Sequence, residues 1–179
     1  MIVTPLPPLE GLVLLRSEPA RDARGAFSRL WCAADLKQVG LSFAPVQVSL
    51  SETTREGTLR GLHWQAAPHD ETKLLRVARG RIFDVLVDLR RGQPSYGSHV
   101  GVELDAGDGL FIPPGLAHGF LTRTDDVLLV YAMDRAHEPS AARGLRHDDP
   151  ALGIVWPQKP TLIGPRDLAW PDFKGSGHD

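Results

Sequence analysis

The sequence is nearly devoid of cysteine, with Cys32 alone among 179 residues. That excludes an intrachain disulfide framework and leaves a free thiol that reads as a small buried hydrophobe. It also lacks a charge excess of either sign: 20 Lys and Arg stand against 22 Asp and Glu, a formal net charge of −2. Such a balance gives no general attraction to nucleic acid or anionic membranes, so an anionic ligand would need a few placed cations. Long apolar runs are missing. The opening stretch MIVTPLPPLEGLVLL has no basic start and carries prolines within it. It reads as neither secretion signal nor membrane helix, and the cytoplasm is the expected location. Sustained helical periodicity is missing too; only Ala33 to Val39, closed by Gly40, predicts a helix, and a short one.

What is present is glycine (18) and proline (15), spread over the whole length and cutting the chain into short apolar segments. Strands are predicted at Gly11–Arg16, Val46–Leu50, Lys73–Arg76, Arg81–Leu89, Gly109–Ile112 and Val127–Tyr131. In RIFDVLVDLR, Ile82, Phe83, Val85 and Val87 are set against Asp84, Asp88 and Arg90, an alternation with one slip. Short strands at this spacing predict an all-β sandwich or barrel with a few short helices. Repeats and internal linkers are absent, so residues 1–179 read as one domain, with a tail after Phe173 expected to fray.

Two segments sharpen the architecture. The run from Gly107 through Pro113 and Gly115 to His118 ends one strand at Ile112 and turns at Pro-Pro-Gly. It then aims His118 into a barrel mouth and fits the second cupin motif. The run GTLRGLHWQ (57–65) resembles the first, with Gln65 where many cupins carry a second histidine. The resemblance implies a jelly roll with an interior cavity for a small ligand.

Two chemistries compete for that cavity. His63, Glu71 and His118 could form a two-histidine, one-carboxylate metal set. Against it stand the missing second histidine and the polar neighbours of Glu71, Asp70 and Lys73. The alternative is proton transfer beside a ketone. It needs a base on one face, an acid on the other and a cation near the developing enolate oxygen. His63 and Arg60 share one short stretch, Lys73 opens the next strand, and Tyr131 closes an apolar one. A phenol with an ordinary pKa near ~10 is a proton donor at neutral pH. Each of these residues alone has a structural explanation; together they favour proton transfer.

The same residues resemble the dTDP-4-dehydrorhamnose 3,5-epimerase family. The resemblance runs from about Asp22 to Phe173 through DARGAF (22–27), PVQVSLS (45–51), GTLRGLHWQ (57–65), KLLRVARGRIFDVLVDLR (73–90), FIPPGLAHGF (111–120), Tyr131, GLRHDDPALGIVWP (144–157) and RDLAWPDF (166–173). It implies His63 as base backed by Asp167, Tyr131 as acid, and Lys73 holding the enolate oxygen. It implies sugar-nucleotide contacts at Arg24, Gln47, Arg60 and His118, with Arg166 where a lysine is usual. Arginine forks suit a diphosphate. It implies no metal and no redox cofactor, and a homodimer in which the segment around Phe27 serves the partner's site.

Four departures from the family pattern fall on the ligand-holding side. Arg29 replaces an acidic residue, Ser49 an asparagine, His137 a tyrosine that stacks on the nucleobase, and Ala142 a glutamate. A histidine can still stack on a base. The expected activity is 3,5-epimerisation of a dTDP-linked 4-keto-6-deoxyhexose. Epimerisation at C3 or C5 alone, a ketoisomerase, a metal-dependent oxygenase or isomerase, and a sugar-nucleotide binder without catalysis are the alternatives.

Overall fold

The computed structural model describes residues 1–175. The expected fraying concerns a tail whose last four residues lie outside the described part. Strands follow one another as β1 (Ile2–Pro5), β2 (Val13–Arg16), β3 (Ala20–Asp22), β4 (Gly25–Phe27), β5 (Gln47–Thr53), β6 (Thr58–Gln65) and β7 (Lys73–Arg79). Then come β8 (Arg81–Asp88), β9 (His99–Asp105), β10 (Asp108–Ile112), β11 (Leu116–Thr122), β12 (Val127–Met133), β13 (Ala142–Gly144) and β14 (Leu162–Ile163). Two short helices, α1 (Ala33–Gln38) and α2 (Pro165–Leu168), interrupt them. All six predicted strands are present, and the predicted helix is α1.

One sheet has the order β1-β2-β10-β7-β12-β5; the other runs β13-β6-β11-β8-β9, with β14 parallel to β6. β3 and β4 form a separate hairpin. Leu14, Leu75, Leu110 and Leu129 of the first sheet meet Ile82, Leu86, Leu104 and Phe120 of the second in one buried cluster. The core therefore lies between two stacked sheets, as in a cupin jelly roll. Both outer faces are covered over part of their extent. α1 and Phe43 cover the first sheet through Leu36, Val13, Leu15 and Leu74. The C-terminal segment covers the second, where Leu145 and Leu152 pack on Leu62, Val85 and Val87.

This double covering corrects the reading of β8. Ile82, Asp84, Leu86 and Asp88 share one face, and both aspartates are completely buried. Val85 and Val87 point the other way, beneath the C-terminal segment. A strand covered on both faces has no polar side for alternation to report. Asp88 is satisfied within the protein by Arg90 and Ser95, whereas Asp84 meets His118 through Oδ1 and leaves Oδ2 buried without a hydrogen-bond partner.

The second local departure makes the site. On β11, His118 faces His63 of β6, whereas Phe120 faces Arg60. β6 therefore carries one extra residue opposite Gly119, a bulge at Gly61. Gly61 adopts a φ of +130°, and a Cβ there would collide with the Cα of Gly119. Only glycine fits that conformation and that approach. The bulge reverses the alternation of β6, so Arg60 and His63, three residues apart, both face the cavity.

Candidate active site

A cavity of about 500 Å³ opens between the β5–β12–β7 side of the first sheet and the β6–β11 side of the second. Its walls differ from the apolar core alongside. β5 contributes Gln47, Ser49 and Ser51; β6 contributes Arg60, His63 and Gln65.

The bulge at Gly61 also builds the basic centre. An extra residue leaves a backbone N–H without a ladder partner. The Gly61 N–H donates to Asp167 Oδ2 at 3.0 Å, while Asp167 Oδ1 lies 2.6 Å from His63 Nε2. Asp167 comes from α2, 104 residues later, and its Oδ1 also accepts the Trp170 indole N–H at 3.2 Å. Burial acts to raise the Asp167 carboxyl, but the bonds from His63, the Gly61 N–H and Trp170 outweigh it and hold it below the usual range. An ionised carboxylate on one imidazole nitrogen orients the ring and stabilises its protonated form.

Facing this centre from the first sheet is Tyr131, on β12. Burial and the nearby Asp84 push its phenol well above its ordinary pKa, against a smaller opposing pull from Arg60. The proton stays on the oxygen through the neutral range, as an acid requires. The His118 ring lies 5.8 Å from the Tyr131 ring, and its Nδ1 is 3.2 Å from Asp84 Oδ1. Asp84 itself is pushed upward by burial, with His118 and Lys73 pulling the other way. Sequence reasoning missed Asp84. The available signal was a carboxylate inside an otherwise apolar strand, FDVLV.

Lys73 opens β7, with Nζ 3.0 Å from Glu71 Oε1 and both side chains largely buried. Glu71 Oε2 accepts from Gln65 Nε2 at 2.8 Å, and Gln65 Oε1 accepts the Glu138 N–H at 2.6 Å. Gln65, conspicuous in the sequence as an absent histidine, is thus a polar brace. Each member of the alternative metal set has another partner: His63 has Asp167, His118 has Asp84, and Glu71 has Lys73 and Gln65. Among the described residues no three His, Cys, Asp or Glu side chains are grouped to hold a metal ion.

At the mouth, Gln47 Oε1 accepts the His137 N–H at 3.0 Å and Gln47 Nε2 donates to Ser49 at 3.2 Å. His137, Ala142, Arg143 and Arg166 complete the rim.

A histidine paired with a carboxylate, an opposing phenol and a largely buried ammonium share one cavity, a constellation that can be compared with known proteins. The family model of dTDP-4-dehydrorhamnose 3,5-epimerase matches residues 7–175. The chain belongs to the dTDP-4-dehydrorhamnose 3,5-epimerase family. The dTDP-4-dehydrorhamnose 3,5-epimerase of Sinorhizobium fredii is 40% identical over 156 residues, 84% of this chain and 78% of that one. The dTDP-4-dehydrorhamnose 3-epimerase of Streptomyces niveus is 34% identical, over 89% of this chain and 78% of its own length. Among solved structures, the dTDP-6-deoxy-D-glucose-3,5-epimerase of Legionella pneumophila in complex with dTDP-4-keto-L-rhamnose superposes with a TM-score of 0.89 at 30% identity. That match covers 96% of this chain and 92% of that one.

Within one chain of this epimerase-family fold, ten of the thirteen residues expected at the site line the cavity or its mouth, nine of them being His63, Tyr131, Asp167, Lys73, Arg60 and His118, with Gln47, His137 and Arg166. Ser49 joins them. Three do not. Arg24 and Phe27 lie on the β3–β4 hairpin, where Arg24 pairs with Asp22 at 2.6 Å and Phe27 is 80% exposed. Arg29 pairs with Asp35 beside α1 at 3.1 Å. Among the described residues no helix is long and apolar enough to cross a membrane.

Proposed function

We propose that this chain epimerises a dTDP-linked 4-keto-6-deoxyhexose, removing a proton at C3 or C5 with His63 and returning one to the opposite face from Tyr131. One observation carries this reading: His63 stands on β6 and Tyr131 on β12, in the two opposed sheets that wall one cavity. A sugar ring lying between them has its base on one face and its acid on the other.

The C–H bond breaks toward His63, its electron pair passes to the carbonyl oxygen, and Asp167 stabilises the imidazolium. Lys73 holds the enolate oxygen, with His118 beside Tyr131 as a further donor. The electrons return to carbon as Tyr131 gives up its proton, inverting the centre. The phenol and the imidazolium then exchange protons with solvent, and no redox change occurs. Arg60 and Arg166 are the cations suited to the diphosphate, and His137 is placed at the mouth for the base.

The functional unit in this reading is a homodimer in which the β3–β4 hairpin brings Arg24, Phe27 and the neighbouring Arg29 to the partner's cavity. Three features support it. Phe27 is 80% exposed at the hairpin, which leaves its ring available to a second copy. β5 is a sheet edge, and edges are normally covered or guarded. Its outward residues Val48 and Leu50, with the preceding Val46, are all more than 60% exposed, an apolar row suited to a second copy. A nucleotide-sugar substrate and a free thiol at Cys32 fit a cytoplasmic location.

The test is solvent exchange. In deuterated water, a dTDP-4-keto-6-deoxyglucose should take up deuterium at C3 and C5, and the His63→Ala variant should show none. Absence of exchange with any nucleoside-diphosphate 4-keto sugar overturns the reading. Epimerisation at C3 alone is the second reading, favoured by the similarity to the Streptomyces niveus 3-epimerase; it predicts deuterium at C3 only. For the dimer, mixing His63→Ala with Arg24→Ala chains should restore activity, because half of the mixed sites then hold both residues.

A further inference from the structure

Trp170 lies outside the cavity lining, yet it touches the base centre, its support and a cation at the mouth. The indole N–H donates at 3.2 Å to Asp167 Oδ1, the same oxygen that faces His63 at 2.6 Å. The ring stands edge-on to the His63 imidazole, 6.1 Å between centroids and 69° between planes. The guanidinium carbon of Arg166 sits 5.0 Å from the indole centroid. The indole also packs against Gly144 so closely that a Cβ there would collide with it. Gly144 pairs with His63 across β13 and β6, so the indole is seated on the backbone beside the base.

We propose that Trp170 is a positioning residue whose two halves act on two parts of the site. Its N–H fixes the Asp167–His63 pair, and its π-face fixes Arg166 for an anionic ligand. The geometry separates the two jobs. A carboxylate oxygen shared by two donors has its direction set by both, so the N–H governs how Asp167 presents itself to the imidazole. A guanidinium over an indole face is held by the ring quadrupole, which needs the aromatic face and not the N–H. The inference rests on the proton-transfer reading for its kinetic consequence, but not for its binding and spectroscopic ones.

The experiment compares Trp170→Phe, which keeps an aromatic face and removes the N–H, with Trp170→Leu, which removes both. Three quantities are read: steady-state kinetics on the dTDP-4-keto sugar, the affinity for dTDP alone, and the 15N shifts of the His63 imidazole. Trp170→Phe should lower kcat about tenfold, the loss of one charge-assisted hydrogen bond. It should also move the His63 shifts, with KM and dTDP affinity within about twofold of the parent. Trp170→Leu should show the same kcat loss and weaken dTDP binding about fivefold, as for loss of one cation–π contact. Arg166→Gln should reproduce that weakening while leaving the His63 shifts in place, and it serves as the binding arm if Trp170→Leu does not fold. Unmoved His63 shifts in Trp170→Phe overturn the proposal, as do equal losses of dTDP affinity in Phe and Leu variants. If the parent fails to turn over any 4-keto sugar, the catalytic reading falls, and the shifts and dTDP affinities still decide the role of Trp170.

Discussion

The carboxylate of Glu71 lies 3.0 Å from the ammonium of Lys73, two residues along the chain, and is itself braced by Gln65 at 2.8 Å. Lys73 therefore enters the cavity with its position set by a chain of three side chains. Glu71→Gln keeps the shape and removes the charge that fixes the ammonium. We expect kcat to fall about tenfold or more with KM within about threefold, since the lysine is asked to act on the enolate rather than the ground-state ketone. Steady-state kinetics on purified variant and parent check this; a pure KM effect would contradict the assignment.

The Asp167–His63 pair gives a second prediction. Asp167→Asn should retain the fold and the hydrogen bond from the Gly61 N–H, yet lower kcat by about a hundredfold or more, because a neutral amide stabilises an imidazolium poorly. The Asp167 carboxyl is held below its unfolded value, so its stabilisation is present above about pH 4 and is lost as pH falls through the folded value. Acid unfolding followed by circular dichroism should accordingly begin at higher pH in a variant that lacks the carboxylate's partner, Trp170→Phe, than in the parent.

Tyr131 gives a third. The chain has two tyrosines, and burial keeps the Tyr131 proton in place above the ordinary phenol range. Tyrosinate absorbance should then rise equally up to about pH 10 in the parent and in Tyr131→Phe. The folded chain keeps a proton that the unfolded chain releases near about 10, so the Tyr131 contribution to stability declines as pH rises past that value. In Tyr131→Phe, deuterium should still enter the carbon served by His63 while inversion falls.

The fourth concerns the bulge. A Cβ on Gly119 would press on Leu62, the Arg60 carbonyl and Gly61. Gly119→Ala should cost about 2 kcal/mol or more and lower the melting temperature by several degrees. It should also depress activity at temperatures where the variant is folded, because the same contact sets the direction of His63. Calorimetry together with kinetics separates the two effects.

Much of the architecture was legible in the chain. Turn residues bound the apolar runs, so β2, β5, β7, β8, β10 and β12 could be predicted, and the GTLRGLHWQ and FIPPGLAHGF segments marked β6 and β11 as site strands. Less was legible where burial depends on what covers a strand. Asp84 and Asp88 looked like the polar side of an alternation, but β8 lies between β11 and β9 with both its faces covered. Glu71 looked like a possible metal ligand in a polar stretch, whereas the fold turns it toward Lys73 and Gln65. Trp170 stood in the sequence only as part of the RDLAWPDF motif, with no role of its own, because its value lies in reaching Asp167, His63 and Arg166 at once.

By itself the sequence determined the residue types of the site, the strands that carry most of them and the family they belong to. These follow from local patterns: periodicity, turn chemistry and short motifs. Only the tertiary structure decided that Arg60 and His63 face the same cavity, through one extra residue at Gly61. It alone brought Asp167 from 104 residues away to the N–H which that residue leaves unpaired. It also held Arg24, Phe27 and Arg29 apart from the cavity of their own chain. Such relations depend on sheet closure, which sets distances between segments remote in sequence, and no local pattern records them.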